Sequence, residues 1–441
     1  MEEKKSEDFI TMDLVYPKYC TPVGITTEKQ EIIAHPEGVK RFIGIDLSKQ
    51  NCYVCIIDLE GWVVLHQNFS LHSKAKSQLY EVFQAGDIAL MEASTGTFTI
   101  ARAINKLPGV VACVVNPHTL VNNSKKKTDK EDALFLAKTL FRIPVSELQL
   151  VSIPSDEEMD NRDVVSHYRK INDQRTQTSN RLHALFFDKG FPEAGKTYNL
   201  RTQRGRMLAI ENCFGNYREY ATAKRLAKEL SKELTLFEEL QARGEKQLAK
   251  IVEQNPQMTT ILGSIPGVGI KVISTFIAFV GDIHRFSSSK QLAAYCGLVP
   301  RVYQSGQKDA ARRITKEGQA ALREYLVESV FSMQTTKFAF PLKKKYRELR
   351  DRMSGRKAAV AVARKLVELM YAMLKNKTLF TVIDPKEKEQ LESYYSRKNL
   401  VVSGRYNKIR QSCKSFETFQ YNSNLLCPNE LGVLKILQNG G

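Results

Sequence analysis

The stretch RFIGIDLSKQNCYVCIIDLEGWVVLHQNF, residues 41–69, decides how the chain is read. It holds three short runs rich in β-branched and aromatic residues, RFIGIDLS, CYVCIIDL and WVVLHQNF, and the turn-like pair Glu60-Gly61 separates the last two. Such runs predict consecutive antiparallel strands. Downstream come a helical stretch near residues 74–83, the apolar DIALMEAS, a helix from about Phe98 to Leu107, the run VVACVVN and a further helix. The order β-β-β-α-β-α-β-α implies a mixed sheet flanked by helices, an α/β domain over residues 41–150. Residues 1–40 show no sustained periodicity and read as a polar leader.

Acidic residues fall at revealing places in this pattern. Asp46 ends the first strand, Glu92 ends the fourth, and Asp129 and Asp132 open the helix KTDKEDALFLAK, residues 127–138. Helical positions three apart share a face, so both aspartates can reach one point. A local role is also available, because Thr128 followed by Glu131 fits a capping box and acids suit a helix N-terminus. Loops beyond strand ends are where α/β sheets place ligands. Four carboxylates converging there repel one another unless cations neutralise them. Paired Mg²⁺ ions, about 3.5–4 Å apart, suit an oxygen-rich site of this kind and activate a phosphodiester. Taken singly, Asp46 also reads as a turn residue and Glu92 as an exposed strand terminus.

The chain carries a formal charge of +18, from 66 basic and 48 acidic side chains, which points to a polyanionic partner such as nucleic acid. Residues 301–377 hold 19 Lys or Arg against 7 Asp or Glu, about two-thirds of the excess, and are the candidate phosphate-binding surface. No apolar run approaches the ~20 residues that cross a bilayer, and the start MEEKKSEDF lacks a signal-peptide core. A soluble intracellular protein is expected. Cysteines are scattered, and the one CxxC, Cys52 and Cys55, lies in a strand where residues three apart point to opposite faces. Free thiols in a reducing compartment are therefore expected in place of a zinc site.

Residues 151–255 change in kind. Val165, Tyr168, Ile171, Leu182, Leu185 and Phe186 form one helical stripe, and Leu226, Leu230, Leu234, Phe237, Leu240, Leu248 and Ile251 another. Charged helices with narrow apolar stripes predict an antiparallel coiled-coil arm or dimerisation element, or else a plain helical domain. Pro256 opens the next region, residues 256–385. There Pro266-Gly267-Val268-Gly269 joins two helices, as in a helix-hairpin-helix, with Gly267, Gly269 and Lys271 placed to meet a phosphate. Ser305, beside Gly306 and near Lys308, Arg312 and Arg313, is a candidate nucleophile on phosphorus, with Ser264 and residues 287–289 as competitors. Lys343, Lys344, Lys345, Arg347, Arg350, Arg352, Arg356 and Lys357 are expected to face nucleic acid. The tail, residues 386–441, is basic and aromatic, a composition that suits stacking on single strands or disorder.

In order, "GIDLSK" with Asp46, "MEAST" with Glu92, "KTDKEDA" with Asp129 and Asp132, "IPGVG", "LAAYCGLVPR" and "QSG" resemble the DEDD-type transposases of bacterial insertion sequences, a group related to pilin-gene invertases. The resemblance spans about residues 41–380. It implies a RuvC-like (ribonuclease H-like) domain, a coiled-coil segment and a C-terminal domain supplying a serine. By position it implies that Asp46, Glu92, Asp129 and Asp132 bind Mg²⁺, with Mn²⁺ as a substitute, and that Ser305 attacks DNA to form a phosphoserine intermediate. It further implies homodimers that pair into tetramers across donor and target double-stranded DNA, guided by a structured bridge RNA, in the cytoplasm of a bacterium. The leader and the tail have no counterpart in the pattern. The same residues also suit a metal-dependent junction nuclease that activates water, or a non-catalytic nucleic-acid scaffold.

Overall fold

The structure, a computed structural model, describes residues 38–72, 77–120, 128–300, 314, 317–336 and 341–380. The chain divides into two compact units, with the division between Ser155 and Asp156.

The first unit is a five-stranded mixed sheet with helices on both faces. Its strands are β1 (Arg41–Leu47), β2 (Asn51–Asp58), β3 (Val63–Ser70), β4 (Asp87–Glu92) and β5 (Val111–Val115), and its helices are α1 (Ser77–Glu81), α2 (Thr97–Ile104) and α3 (Asp129–Arg142). The spatial order is β3-β2-β1-β4-β5. The first three strands pair antiparallel, while β1, β4 and β5 run parallel. Local chemistry makes the turns: Ser48 Oγ accepts from the Asn51 amide at 3.2 Å, and Asp58 Oδ1 accepts from the Glu60 and Trp62 amides at 3.0 and 2.8 Å. Ile43, Ile45, Cys52, Val54, Ala89, Met91 and Val114 bury one face under Leu79, Ile100 and Ile104 of α1 and α2. Phe42, Cys55, Ile57, Ile88, Leu90 and Val115 bury the other under Ala133, Leu136, Ala137 and Leu140 of α3. Burial on both faces explains why the central strands read as unbroken apolar runs. Cys52 and Cys55 go to opposite faces as buried free thiols.

The second unit is helical: α4 (Asp156–Asp188), α5 (Ala194–Thr197), α6 (Gln203–Phe214), α7 (Ala221–Gln254), α8 (Pro256–Gly263), α9 (Ile270–Val280), α10 (Ser289–Tyr295), α11 (Ala320–Gln334), α12 (Pro341–Arg350) and α13 (Gly355–Asn376). At 33 and 34 residues, α4 and α7 are each about 50 Å long. They run antiparallel, since Tyr168 bonds Glu245 while Thr178 bonds Glu233. Two cores line this pair. Val165, Tyr168, Leu248 and Ile251 belong to the large core around α9, in which every residue from Val272 to Val280 is buried. Leu182, Phe186, Ala227, Leu230 and Leu234 pack instead with Ile210 and Phe214 of α6.

The stripe on α7 departs from the expected one at Leu226, which is 40% exposed. Ala223, Ala227, Leu230, Ser231 and Leu234 face inward instead, because small residues at 223 and 227 let α7 lie close to its neighbours. Gly244 serves the same end, since a Cβ there would stand 2.6 Å from the Tyr168 ring. Among the described residues no helix is long and apolar enough to cross a membrane.

Candidate active site

Alternation along β1 puts Phe42, Gly44 and Asp46 on the face covered by α3. Gly44 is the point of closest approach: a Cβ there would lie 2.0 Å from the Ala133 carbonyl oxygen and 2.4 Å from the Ala137 nitrogen. Only a residue without a side chain lets the helix sit this low on the strand. Asp46 lies two residues further along β1, and Asp129 and Asp132 lie in the turn that precedes Ala133. Close docking thus carries the N-terminus of α3 to the carboxyl end of β1. In β4, parallel to β1 with Ile45 beside Met91, Glu92 is the next residue along and shares the α3 face with Ile88 and Leu90.

Asp46 and Glu92 feel the neighbouring carboxylates. Burial and then the charges of Asp129, Asp132 and Glu92 push the Asp46 pKa up to about 6, against a smaller opposing effect of the Leu47 backbone amide. Burial and then Asp132 push Glu92 up as well. Like charges gathered in a half-buried place favour either a proton or a cation. Among the described residues no group of three or more His, Cys, Asp or Glu is drawn together as a ready-made metal cage. The acids that couple here offer oxygen acceptors alone, the kind of ligand that hard divalent cations take.

The local role of the α3 start is present too, as the Glu131 amide donates to Thr128 Oγ1 at 3.3 Å. Capping and clustering coexist, because the cap is made by the Thr128 hydroxyl and not by an aspartate carboxylate. Three supporting residues were not legible from the sequence. Thr97 is fully buried and donates to the Glu92 carbonyl oxygen at 2.8 Å, tying down the end of β4. Tyr53 lies directly across from Asp46 on β2. His66 packs edge-on against Tyr53, with centroids 5.6 Å apart, and donates from Nε2 to the Lys130 carbonyl oxygen at 3.0 Å, a bond from β3 to the first turn of α3. Burial pushes the His66 pKa down, which favours this neutral ring. Of these signals only the Gly44-to-Asp46 spacing stood in the sequence, and it gains meaning once a helix is known to cross it.

In the second unit the expected contact residues divide. Ser305, Lys308, Arg312 and Arg313 lie outside the described residues. Gly267 has φ +87° and abuts Met333 of α11, where a Cβ would stand 2.5 Å from the methionine side chain. Gly269 is the exposed N-cap of α9 with open space around it, and Lys271 lies 5.6 Å from the Tyr168 ring centroid. Lys343 departs from the expected outward face. It is 5% exposed and donates to the Thr336 carbonyl oxygen, because it shares the inward side of α12 with Leu342 and Tyr346. Lys344, Arg347, Arg350, Arg352, Arg356 and Lys357 are exposed, and Lys345, half-buried, pairs with Glu348 at 3.6 Å. Two competing serines have structural tasks: Ser264 Oγ accepts from the Phe380 amide at 2.9 Å, and Ser288 caps α10.

Comparison with known proteins adds two family matches. A family model described as "Transposase IS116/IS110/IS902 family" matches residues 259–347, and a DEDD transposase model of the IS110 type matches residues 43–192. The chain is 26% identical to a transposase for insertion sequence element IS1111A of Coxiella burnetii over 76% of this chain and 89% of that protein. It is 25% identical to a probable family 20 transposase of Pseudomonas aeruginosa, over 77% of this chain and 98% of the relative. A pilin gene-inverting protein of Moraxella lacunata is 29% identical over 30% of this chain and 43% of its own length.

Proposed function

Because the chain belongs to the IS110/IS116/IS902 family of DEDD transposases and is a DNA transposase and recombinase, we propose that Asp46, Glu92, Asp129 and Asp132 form its metal-binding tetrad and that Ser305 is its nucleophile. The observation that carries the first half is the coupling of Asp46 to the other three acids at the carboxyl ends of β1 and β4. When bound, Mg²⁺ or Mn²⁺ supplies Lewis-acid polarisation of the scissile phosphate. The tetrad holds the ions, Thr97 and His66 steady the backbone beneath it, and the exposed bases around α12 bind the DNA backbone. Ser305 Oγ then forms an ester bond to phosphorus while one phosphodiester P–O bond breaks, and the serine proton leaves with the freed strand hydroxyl. The ester conserves bond energy for rejoining.

The rest of the reading follows the same line. The sheet is of the RuvC or ribonuclease H type, supported by its 3-2-1-4-5 order with two parallel pairings. Residues 151–255 act as a coiled-coil arm for dimerisation, supported by the long antiparallel pair α4 and α7. Residues 256–385 form the serine-bearing domain with a helix-hairpin-helix at α8 and α9. Dimers pair into a tetramer in which the sheet unit of one subunit and the serine of another complete a site, and a bridge RNA selects donor and target.

The test is covalent trapping with cognate DNA, the element's flanking RNA and Mg²⁺. A denaturation-resistant protein–DNA adduct that is lost in both Ser305→Ala and Asp46→Ala is the expected result. Cleavage without an adduct, persisting in Ser305→Ala, would instead mean a nuclease that activates water.

A further inference from the structure

A cleft lined by arginines lies within the helical unit, and its chemistry is independent of the carboxylates. Arg206 of α6 is 1% exposed and spends all five of its donors. Nε reaches Ser231 Oγ at 3.2 Å, Nη1 the Glu238 carboxylate and the Leu200 carbonyl oxygen at 2.7 and 3.4 Å, and Nη2 Thr235 Oγ1 and Glu238 at 3.0 and 3.2 Å. The pair is bidentate, so Glu238 is neutralised within the fold. Arg206 and Glu238 line a cleft of about 130 Å³ together with Arg175, Ser179, Asn180 and Arg201.

Arg175 and Arg201 have no acidic partner among the described residues. The Arg175 Nε is moreover buried with no hydrogen-bond partner there, which is costly for a guanidinium donor. With Glu238 already matched to Arg206, the lining carries two uncompensated positive charges. Two like charges lining one cleft, neither with an acidic partner among the described residues, call for an anion. The hydroxyl of Ser179 and the amide of Asn180 add neutral donors of the kind that hold phosphate oxygens. The volume accommodates a phosphate group, since one water occupies about 30 Å³ of liquid.

We propose that this cleft between α4, α6 and α7 holds one phosphodiester of a nucleic-acid backbone, clamped by Arg175 and Arg201. The shared chemistry is the phosphodiester; DNA and RNA are its two sources. In this role the arm anchors nucleic acid at a point remote in sequence from both Ser305 and the basic stretch around α12.

The test measures fluorescence anisotropy of a labelled DNA duplex and of a labelled single-stranded RNA of equal length, each against salt, with the full chain. Three variants are compared with wild type: Arg175→Gln/Arg201→Gln, Arg201→Glu at the exposed rim, and Lys246→Gln/Lys250→Gln on the exposed side of α7. The last removes the same charge as each of the others and measures the non-specific part. The cleft variants are expected to lose about tenfold more affinity than the lysine control and about one unit of salt slope for the nucleic acid that uses the site. A loss for duplex alone assigns DNA, a loss for the single strand alone assigns RNA, and a loss for both assigns backbone in general. Equal binding by cleft variants and control, for both nucleic acids, overturns the proposal. Thermal melts establish that each variant folds. If the double arginine variant does not fold, Arg201→Glu decides, because its side chain is exposed and its loss leaves the Arg206 network intact.

Discussion

The two ends of the paired parallel strands β1 and β4 treat their carboxylates in opposite ways. At the amino ends, Asp87 is buried and bound by Arg41, with Nε to Oδ1 at 2.7 Å and Nη2 to Oδ2 at 2.6 Å, and the Gln84 amide adds a third bond at 2.8 Å. At the carboxyl ends, Asp46 and Glu92 face further carboxylates, and the Asp46 pKa climbs to about 6. The same two strands thus carry one acid compensated by the chain itself and two that the neighbouring charges disfavour. A fold keeps such a pair of acids, at a cost to its own stability, where something outside the chain will compensate them. That contrast separates a structural carboxylate from a functional one more sharply than burial does.

The largest expected effect breaks the uncompensated end. Asp46→Ala should lower strand exchange by at least about a thousandfold while leaving the melting temperature near wild type, read from a recombination assay beside a thermal melt. Breaking the compensated end should do the reverse. Asp87→Ala strands Arg41 beside an apolar sheet and should cost about 3 kcal/mol of stability in denaturant titrations, with activity falling only as the folded fraction falls. Gly44→Ala joins the two behaviours. The added methyl would overlap the Ala133 carbonyl oxygen, so α3 must lift, at about 2–3 kcal/mol and with Mg²⁺ binding weakened in calorimetry because Asp129 and Asp132 move with the helix.

A smaller effect is expected in the pH dependence of stability. The folded pKa of Asp46 lies above its ordinary value of 3.8, so its favourable contribution is fully present below about pH 4 and is lost as pH rises through 6. Asp46→Asn cannot ionise. Without divalent ions it should therefore melt higher than wild type at pH 8, by on the order of 1 kcal/mol after solvent screening, and equal it near pH 4. Added Mg²⁺ should raise the wild-type melting temperature and leave the variant's unchanged. The smallest effect is Thr128→Ala, which removes the α3 cap for about 1 kcal/mol in the same melts.

Much of the sheet unit was legible because its signals are local. Alternating or unbroken apolar runs report strands, Glu60-Gly61 reports a turn, and the position of each acid relative to a run reports the end of a strand. The supporting residues were less legible. Thr97 in "STGTF" looks like any loop threonine until its hydroxyl is seen on the Glu92 carbonyl, and His66 looks like a surface residue of an edge strand until α3 is placed across it. On α7, Leu226 outranked Ala223 and Ala227 by hydrophobicity alone, yet close helix packing prefers the small residues. Arg206 carried no sign of burial, since an arginine goes inside only where partners for all of its donors have been gathered.

Short-range signals set the order of strands and helices in the sheet unit, the ends of strands at which acids stand, and the concentration of positive charge in residues 301–377. Each of these is written in short-range periodicity or in composition. Tertiary structure alone decided which charges meet. The approach of α3 over Gly44 brings Asp129 and Asp132 into one field with the distant Asp46, and the folding of α6 against α7 consumes Arg206 while Arg175 and Arg201 meet no acidic partner among the described residues. Pair energies depend on distance and burial, and neither quantity exists along the chain until distant segments have packed.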